Sequence, residues 1–376
     1  MQARIARSLA GVDAAAWNAL PGAEAPFLRH EFLLALEETG CATAETGWDA
    51  RHILLHHDDG RLAAAMPLYL KPHSWGEFVF DFAWADAYHR AGLADYPRLV
   101  SAVPFTPATG PRLLAAGSDR RRLLDAARGL LQETDLSSLH VLFPAAEDRE
   151  CLEDAGLMPR LDCQFHWRNE GFASFEEFLA GFTSEKRKKL RRERRRVAEA
   201  GIACRTVTGR DLDPRLIDSI HHLHAITFAR HGHAPYLNRA FFGRIAASLP
   251  DALVVELAEM DGEPVACSIS LRGRDALYGR YWGASGEFHS LHFELCYYRG
   301  IEYCVREGLA RFEPGTQGEH KLLRGFVPTP VWSFHEIADA RFAAAISDWR
   351  ALARGASCLA RGGFLAPALP AGRHPG

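Results

Sequence analysis

The sequence predicts a mixed α/β protein built from two domains, and three observations support this fold class. At 376 residues the chain is longer than one ordinary core supports. Helical and strand patterns alternate in both halves, as in sheets covered by helices. Apolar residues make up 48% and charged residues 24%, ordinary values for a globular protein. We expect a first domain over residues 1–165, a second over 166–350, and a loosely ordered tail rich in Ala, Gly and Pro over 351–376.

Targeting and metal signals are absent from the sequence. No apolar run reaches the roughly 18 residues that span a bilayer. The N-terminus has two arginines but no apolar segment after them, so it does not resemble a signal peptide. The eight cysteines are scattered singly and form no CxxC pair. These features predict a cytoplasmic protein without a transmembrane segment and without a metal site.

The first half reads as a helix, a hairpin, loops, a helix and a strand. Residues 27–38 have helical apolar spacing and end at Gly40. The Asp58-Asp59-Gly60 turn joins two predicted strands. The ranges expected for the remaining elements are 51–56 and 62–70 for those strands, 120–133 for the second helix, and 139–143 for the last strand.

Polar side chains interleave with aromatic residues in the loops of this half. The segment 67–82 is dense in aromatic residues, and 103–112 is punctuated by prolines. Taken one at a time, these polar residues could be edges of a core. Taken together, they are better explained as one wall of a substrate-binding cleft. The candidates are Lys71, His73, Glu77, Asp81 and Arg112.

A basic segment opens the second half. Between Ser184 and Arg196 there are nine Lys or Arg residues against two Glu, although the whole chain carries a net charge of −3. Along this predicted helix only Leu190 and Val197 are apolar, so it is either a solvated face or a surface for a polyanion. No aromatic residues accompany the cations, so the helix at 186–196 favours phosphate attraction, as in tRNA, over base stacking.

Five histidines lie between residues 221 and 233, with His221 and His224 on one helical face. No carboxylate or cysteine pattern accompanies them, so we do not expect a metal. The aromatic Tyr236, which opens the next helix, is a further substrate-binding candidate.

Three strands, a turn, a helix and a strand follow. Strands are predicted over 253–259, 264–272 and 276–282, with the first two joined by a hairpin turn at Asp261-Gly262. Alternation in the third strand places Tyr278, Arg280 and Trp282 on one face. A long helix is expected over 290–307. Its first two turns carry His292, Glu294, Tyr297 and Tyr298.

This arrangement resembles the core of the GNAT acyltransferases. In that family, a Q/R-x-x-G-x-G/A turn before the helix holds the pyrophosphate of CoA with its backbone amides. The corresponding residues here are Arg280, Gly283, Ala284, Ser285 and Gly286, although Ser285 replaces the second small residue. The resemblance implies acyl-CoA, such as acetyl-CoA, as co-substrate, and amides at a helix start suit an anion.

The segment 311–326 brings a carboxylate, an imidazole and two cations together after a short strand. Gln317, Glu319, His320, Lys321 and Arg324 lie within eight residues, and three glycines let the backbone turn. Functional groups collect on loops that a rigid scaffold holds. The alternative is a surface loop whose charges pair with one another.

Longer segments resemble the FemAB-like, GNAT-related family labelled "peptidoglycan biosynthesis/recognition". The segments are Leu277–Gly283, 291–301, 311–326, 67–71, 76–81 and 104–112. The resemblance covers residues 25–345 and implies two tandem GNAT-like domains with a cleft between or beside them. The Fem-type aminoacyltransferases are more distantly similar; their Phe-Lys-x-Gly-Phe element resembles 320–326, which implies that Lys321 lies near the transferred carbonyl.

These observations predict an enzyme that transfers an acyl group to a small-molecule or peptide amine. Such chemistry needs a base, an oxyanion donor and a cradle for the donor's phosphates. Glu319 or His320 is the expected base, Lys321 the carbonyl stabiliser, and Tyr297 or Tyr298 the acid for the leaving group. Acyl-CoA is the first reading of the donor, aminoacyl-tRNA is the alternative, and a non-catalytic protein that recognises a cell-wall precursor is a third. Further substrate contacts are expected from Trp282, His292, Glu294, Gln317 and Arg324.

Overall fold

The computed structural model describes residues 1–79, 88, 92, 94–134, 136–315 and 318–344. Asp81, Gln317 and the expected tail at 351–376 lie outside these residues, as does the side chain of Glu319. The chain forms two compact units. The first contains Met1–Asp162, Tyr236–Leu249 and, of the last segment, residues 331–344; the second contains Cys163–Pro235 and Pro250–Pro330.

The described residues of the first unit form two sheets. One is antiparallel, and its central strand His52–His56 pairs with Gln2–Ala6 and Leu62–Met66. The other sheet has the order Asp49–Ala50, Tyr69–Lys71, Arg98–Ser101, Ser138–Leu142 and residues 333–337. The strand expected over 62–70 is thus two strands, because the proline at position 67 cannot donate to a ladder.

Helices cover these sheets with apolar faces. The helix Asp119–Glu133 buries Leu123, Leu124, Ala127 and Leu131 in a core that includes Ile53 and Leu139. The burial of such apolar side chains provides most of the driving force for folding. Among the described residues, the other helices of this unit are Ala14–Asn18, His30–Glu38, Ala146–Asp154 and Arg239–Ser248.

In the second unit, the part of the chain that the structure describes forms a sheet of six strands. Its order is residues 163–168, Arg311–Glu313, Ala276–Ala284, Glu263–Arg272, Leu253–Met260 and Ala203–Thr208. Only Ala276–Ala284 and Arg311–Glu313 are parallel, because a helical crossover connects them. The predicted hairpin and third strand are confirmed to within two residues.

A β-bulge changes the alternation expected in the third strand. Ile269 pairs with Tyr281 while Ser270 pairs with Gly279, so Arg280 is an extra residue inserted in the register of this strand. Tyr278 and Trp282 therefore lie on opposite faces. The prediction that they and Arg280 share a face is wrong, because sequence alternation cannot register an inserted residue.

The crossover helix is not one regular α-helix. It runs as Leu291–Phe293, then a π-helical turn at Glu294–Tyr298, and then Arg299–Arg306. A π-turn inserts one residue into the helical spacing and is frequent at functional sites. The remaining helices of the unit are Phe175–Ala180, Ser184–Glu199, Pro214–Arg230 and the 3₁₀ helices Gly209–Asp211 and Glu319–Arg324. Among the described residues, no helix is long and apolar enough to cross a membrane.

Candidate functional site

The candidate site in the second unit includes a buried lysine. Lys321 belongs to the 3₁₀ helix Glu319–Arg324, is 1% exposed, and donates to the carbonyl oxygen of Gly315 at 2.6 Å. Burial lowers the pKa of Lys321 to about 8. The helix is flanked by Gly318 and Gly325, which have φ angles of 118° and 84° that other residues rarely adopt.

A tyrosine and a histidine form a hydrogen-bonded pair beside this lysine. The hydroxyl of Tyr297 lies 2.8 Å from Nε2 of His320. Burial raises the pKa of Tyr297, so the phenol keeps its proton, and burial together with Arg324 and Lys321 lowers the pKa of His320, so the imidazole is neutral. A protonated phenol and a neutral imidazole can form this bond in either direction: Tyr297 donates to Nε2 when the ring proton of His320 is on Nδ1, and it accepts when the proton is on Nε2.

Aromatic rings surround this pair. His292 makes an edge contact with Tyr297 at 5.4 Å between ring centroids and with Trp282 at 5.2 Å. Burial lowers the pKa of His292 to about 4, so this ring is neutral at physiological pH. Phe293 lies 5.9 Å from the ring of His320. The structure thus brings together four sequence-predicted candidates, Tyr297, His320, Trp282 and His292, on an apolar floor.

Other candidates are held in ion networks. Arg324 is 4% exposed and bonded to Glu193 and to the hydroxyl of Tyr298, and its guanidinium lies 3.5 Å above the ring of Phe293. Glu294 accepts two bonds from the inward-facing Arg194. These contacts occupy the polar atoms of Arg324, Tyr298 and Glu294 within the fold, so we assign them no direct contact with substrate.

The basic helix (Ser184–Glu199) has a buried face and a cationic face. Leu190, Glu193 and Val197 are buried, whereas Lys188, Lys189, Arg191, Arg192 and Arg195 are exposed. Within the described part of the chain, Lys188, Lys189 and Arg192 make no ion pair. Sequence reasoning missed Glu193, although it lies three residues after Leu190 and four before Val197, a spacing that places it on the buried face.

A groove of about 730 Å³ runs along the basic helix. Its lining includes the cations named above together with Leu323 and Arg324. These two residues belong to the same 3₁₀ helix that carries His320 and Lys321. The cationic groove and the candidate reactive groups are therefore joined by one short helix.

The turn that resembles a CoA-binding turn makes its contacts with other parts of the fold. The amide of Ser285 donates to the carbonyl oxygen of Val265 at 2.9 Å. A Cβ at Gly283 would lie 2.1 Å from the carbonyl oxygen of Leu223, so this glycine is needed for the packing of helix Pro214–Arg230. The regular strand continues to Ala284. Arg280 is partly buried, with its guanidinium 5.3 Å from the ring of Tyr281, and burial lowers its pKa. Gly286 follows Ser285 directly.

The remaining substrate candidates lie in the first unit. Arg112 donates to four backbone carbonyls, of which Leu142 is one, and is 1% exposed, so its role is structural. Glu77 pairs with buried Arg98 at 2.5 Å. Lys71 is fully buried and bonded to the carbonyl of Trp75, and burial lowers its pKa to about 7.

Two candidates of the first unit are less buried. His73 is partly exposed, and burial lowers its pKa. Tyr236 stacks on Phe105 with 4.7 Å between ring centroids. Among the residues that the structure describes, no three His, Cys, Asp or Glu side chains cluster in a way that could hold a metal ion.

Comparisons with known proteins identify the family of this chain by its sequence and related folds by its structure. The family model described as FemAB-like, peptidoglycan biosynthesis/recognition, matches residues 8–358. The crystal structure of FemX superposes with a TM-score of 0.54 at 13% identity, covering 92% of this chain and all of FemX. The structure of L-PGS from Bacillus licheniformis superposes with a TM-score of 0.51 at 10% identity, covering 76% of this chain and 83% of that one. No curated protein is similar enough in sequence to count as a relative. The sheets and helices of the structure confirm the predicted mixed α/β fold class, and the likeness to FemX shows that the two chains share a fold.

Proposed function

The chain belongs to the FemAB-like family and is a transferase of the acyl or aminoacyl type, and on that premise we propose that it moves an aminoacyl group from aminoacyl-tRNA to an amine. One observation carries the choice of donor. The cationic groove along the basic helix ends on the 3₁₀ helix Glu319–Arg324, which bears His320 and Lys321. A polyanionic donor bound in the groove would bring its 3′ end toward these groups.

The site supplies the groups that this reaction needs. The amine nitrogen attacks the ester carbonyl, a C–N bond forms, and the C–O bond to the ribose breaks. Lys321, as an ammonium, stabilises the oxyanion that develops on the carbonyl. With the ring proton of His320 on Nδ1, the proton leaving the amine passes to the Tyr297 oxygen while Tyr297 gives its own proton to Nε2 of His320. The reverse transfer protonates the departing ribose oxygen.

The contacts of the 280–286 turn do not support acyl-CoA, the donor that the sequence predicted first. The Ser285 amide that the GNAT resemblance assigned to pyrophosphate is bonded to Val265 instead, and Gly283 is packed on Leu223. The cations of the basic helix, in contrast, are exposed and suit a phosphate chain. The non-catalytic reading is set aside, because recognition alone requires neither a buried ammonium nor the Tyr297–His320 pair.

We propose an amine on a peptidoglycan precursor as the acceptor, in accord with the description of the family. In the first unit, His73 and Tyr236 stay predicted candidates for contact with a ligand. Their exposure is consistent with a role in ligand contact, whereas Arg112 and Glu77 are committed to the fold.

Donor choice is tested by equilibrium binding at low salt. We expect deacylated tRNA, which carries no amino acid, to bind with micromolar affinity or better. Acetyl-CoA should show no saturable heat in calorimetric titration. Nucleic-acid binding should weaken steeply as salt rises, because bound counterions are released. Saturable acetyl-CoA binding together with absent tRNA binding would return the donor to acyl-CoA.

The rate of transfer is expected to follow a bell-shaped pH profile. His320 must be neutral to accept a proton, and its pKa lies below the usual 6.5, so the rate rises with pH at an acidic value and then levels. Lys321 must be charged, so the rate falls as pH rises through about 8. Single-turnover transfer from labelled aminoacyl-tRNA at saturating acceptor measures both limbs. Lys321→Ala should lose the alkaline limb; an unchanged limb would remove Lys321 from the mechanism.

A further inference from the structure

One acid of the basic helix faces inward, against the trend of its neighbours. Glu193 is 7% exposed, whereas Lys189 and Arg192 point to solvent. Its position between Leu190 and Val197 places its carboxylate on the side of the helix that packs against the rest of the second unit. A buried carboxylate is unfavourable unless it is paired, so its partners indicate what it does.

Glu193 closes a hydrogen-bonded triangle with two residues of the site. Nη2 of Arg324 donates to both carboxylate oxygens of Glu193, at 3.0 and 3.1 Å. The hydroxyl of Tyr298 also donates to the carboxylate, and it accepts from Nε of Arg324 at 3.0 Å. All three side chains are buried, so these charge-assisted bonds are little screened by water.

The triangle reaches both members of the candidate proton-transfer pair. Nη1 of Arg324 donates to the backbone carbonyl of His320 at 3.0 Å, which fixes the chain beneath the imidazole. Tyr298 ends the π-turn, and the residue before it is Tyr297, which is hydrogen-bonded to His320. The position of the Tyr297–His320 hydrogen bond therefore depends on two elements that Glu193 holds together.

We propose that Glu193 is a positioning residue that sets the Tyr297–His320 pair and couples it to the helix that binds the donor's phosphates. The coupling is direct, because the outward face of that helix carries Lys188 and Arg192 while its inward face carries Glu193. The part played by the donor rests on the proposed function. The positioning of the pair rests only on the contacts within the second unit.

Removing the carboxylate charge has a defined physical consequence. In Glu193→Gln, Arg324 keeps its positive charge but loses the anion that balances it. The uncompensated guanidinium disfavours the imidazolium of His320, and its hold on the His320 carbonyl loosens. The exposed Glu185 of the same helix also lines the groove but touches none of these groups. Glu185→Gln is therefore a control with an identical change of charge.

The experiment compares the two variants by two spectroscopic readouts on the intact chain, and it measures transfer in Glu193→Gln against the unchanged protein only. NMR titration of histidine-labelled protein should show the pKa of His320 lowered in Glu193→Gln and unchanged in Glu185→Gln. Amide hydrogen exchange at Lys321 and Phe326 should be about tenfold faster or more in the first variant alone. In single-turnover transfer, the rate should fall about tenfold while the half-saturating tRNA concentration stays within about twofold.

A second variant keeps the test decisive if Glu193→Gln folds poorly. Tyr298→Phe removes one hydroxyl, leaves the ring packing intact, and should speed amide exchange at Lys321 in the same way. Unchanged exchange and an unchanged His320 pKa in the folded variants would overturn the positioning role. Equal shifts in Glu185→Gln would also overturn it, since they would indicate a general charge effect. If the wild-type protein transfers nothing from aminoacyl-tRNA, the proposed function fails, but the two spectroscopic readouts still decide the role of Glu193.

Discussion

Replacing Lys321 with alanine is expected to lower the single-turnover rate of transfer by about 10²–10³-fold, the loss that follows removal of one oxyanion donor. The ammonium is buried and anchored on the Gly315 carbonyl, so it needs little reorganisation when charge develops on the substrate. Donor binding should change little, because Lys321 lies outside the set of groove-lining residues. The measurement is pre-steady-state transfer from labelled aminoacyl-tRNA.

Lys321→Met is the matched control for packing. It keeps an unbranched apolar side chain of similar length but removes the charge, so it should lose as much activity as Lys321→Ala. Unfolding midpoints of both variants show whether the fold is intact. Activity retained in Lys321→Met would mean that Lys321 fills space and stabilises no charge.

Neutralising three exposed cations of the basic helix is expected to weaken tRNA binding by about 100-fold at roughly 0.15 M salt, if each contributes one phosphate contact. The variant changes Lys188, Lys189 and Arg192 to Gln. The plot of log K against log salt should also lose about 2–3 units of slope. Filter binding across a salt series measures both effects. Arg194 is left unchanged because it holds Glu294 and Glu302.

The control for this variant neutralises three exposed arginines of the same unit that lie outside the groove. Arg215, Arg230 and Arg274 are exposed and do not line it. Their replacement by Gln gives the same change in net charge, so any effect of overall charge appears in both variants. An equal loss of affinity in the two would show that the groove does not select the polyanion.

Regular elements with a clear period were predictable from the sequence. The helix at 120–133 was expected from its apolar spacing, and the structure has it at Asp119–Glu133. The strands after Leu253 were expected from alternation and turn residues. In the basic helix, Leu190 and Val197 were recognised as the apolar positions, and both are buried. In each case the signal is local, and packing reinforces it.

Features that depend on tertiary contacts were not predictable in this way. The bulge at Arg280 and the π-turn at Glu294–Tyr298 each insert one residue, which shifts the facing of every side chain beyond it. The hydrogen bond between Tyr297 and His320 joins residues 23 positions apart. Both residues were candidates by type, but only the fold shows that they meet.

In the first half, charged side chains among aromatic residues were predicted to bind substrate, and this prediction did not foresee a structural use for any of them. Arg112 looks like a ligand-binding residue, yet it satisfies backbone carbonyls at Ala108 and Leu142 that the folded loop would otherwise leave unpaired. The sequence does not show which buried carbonyl groups lack a backbone partner in the folded loop. An arginine that satisfies such carbonyls therefore cannot be told from a ligand-binding arginine by sequence.

Transfer of label between two purified molecules tests the central claim most directly. The protein is incubated with aminoacyl-tRNA carrying labelled amino acids and with a peptidoglycan precursor whose stem peptide has a free amine; a parallel reaction contains labelled acetyl-CoA. We expect label from the tRNA to appear in an alkali-stable amide on the precursor, and to appear about 10²–10³-fold more slowly after Lys321→Ala. Label that stays on the tRNA while acetyl-CoA acylates the precursor would contradict the account.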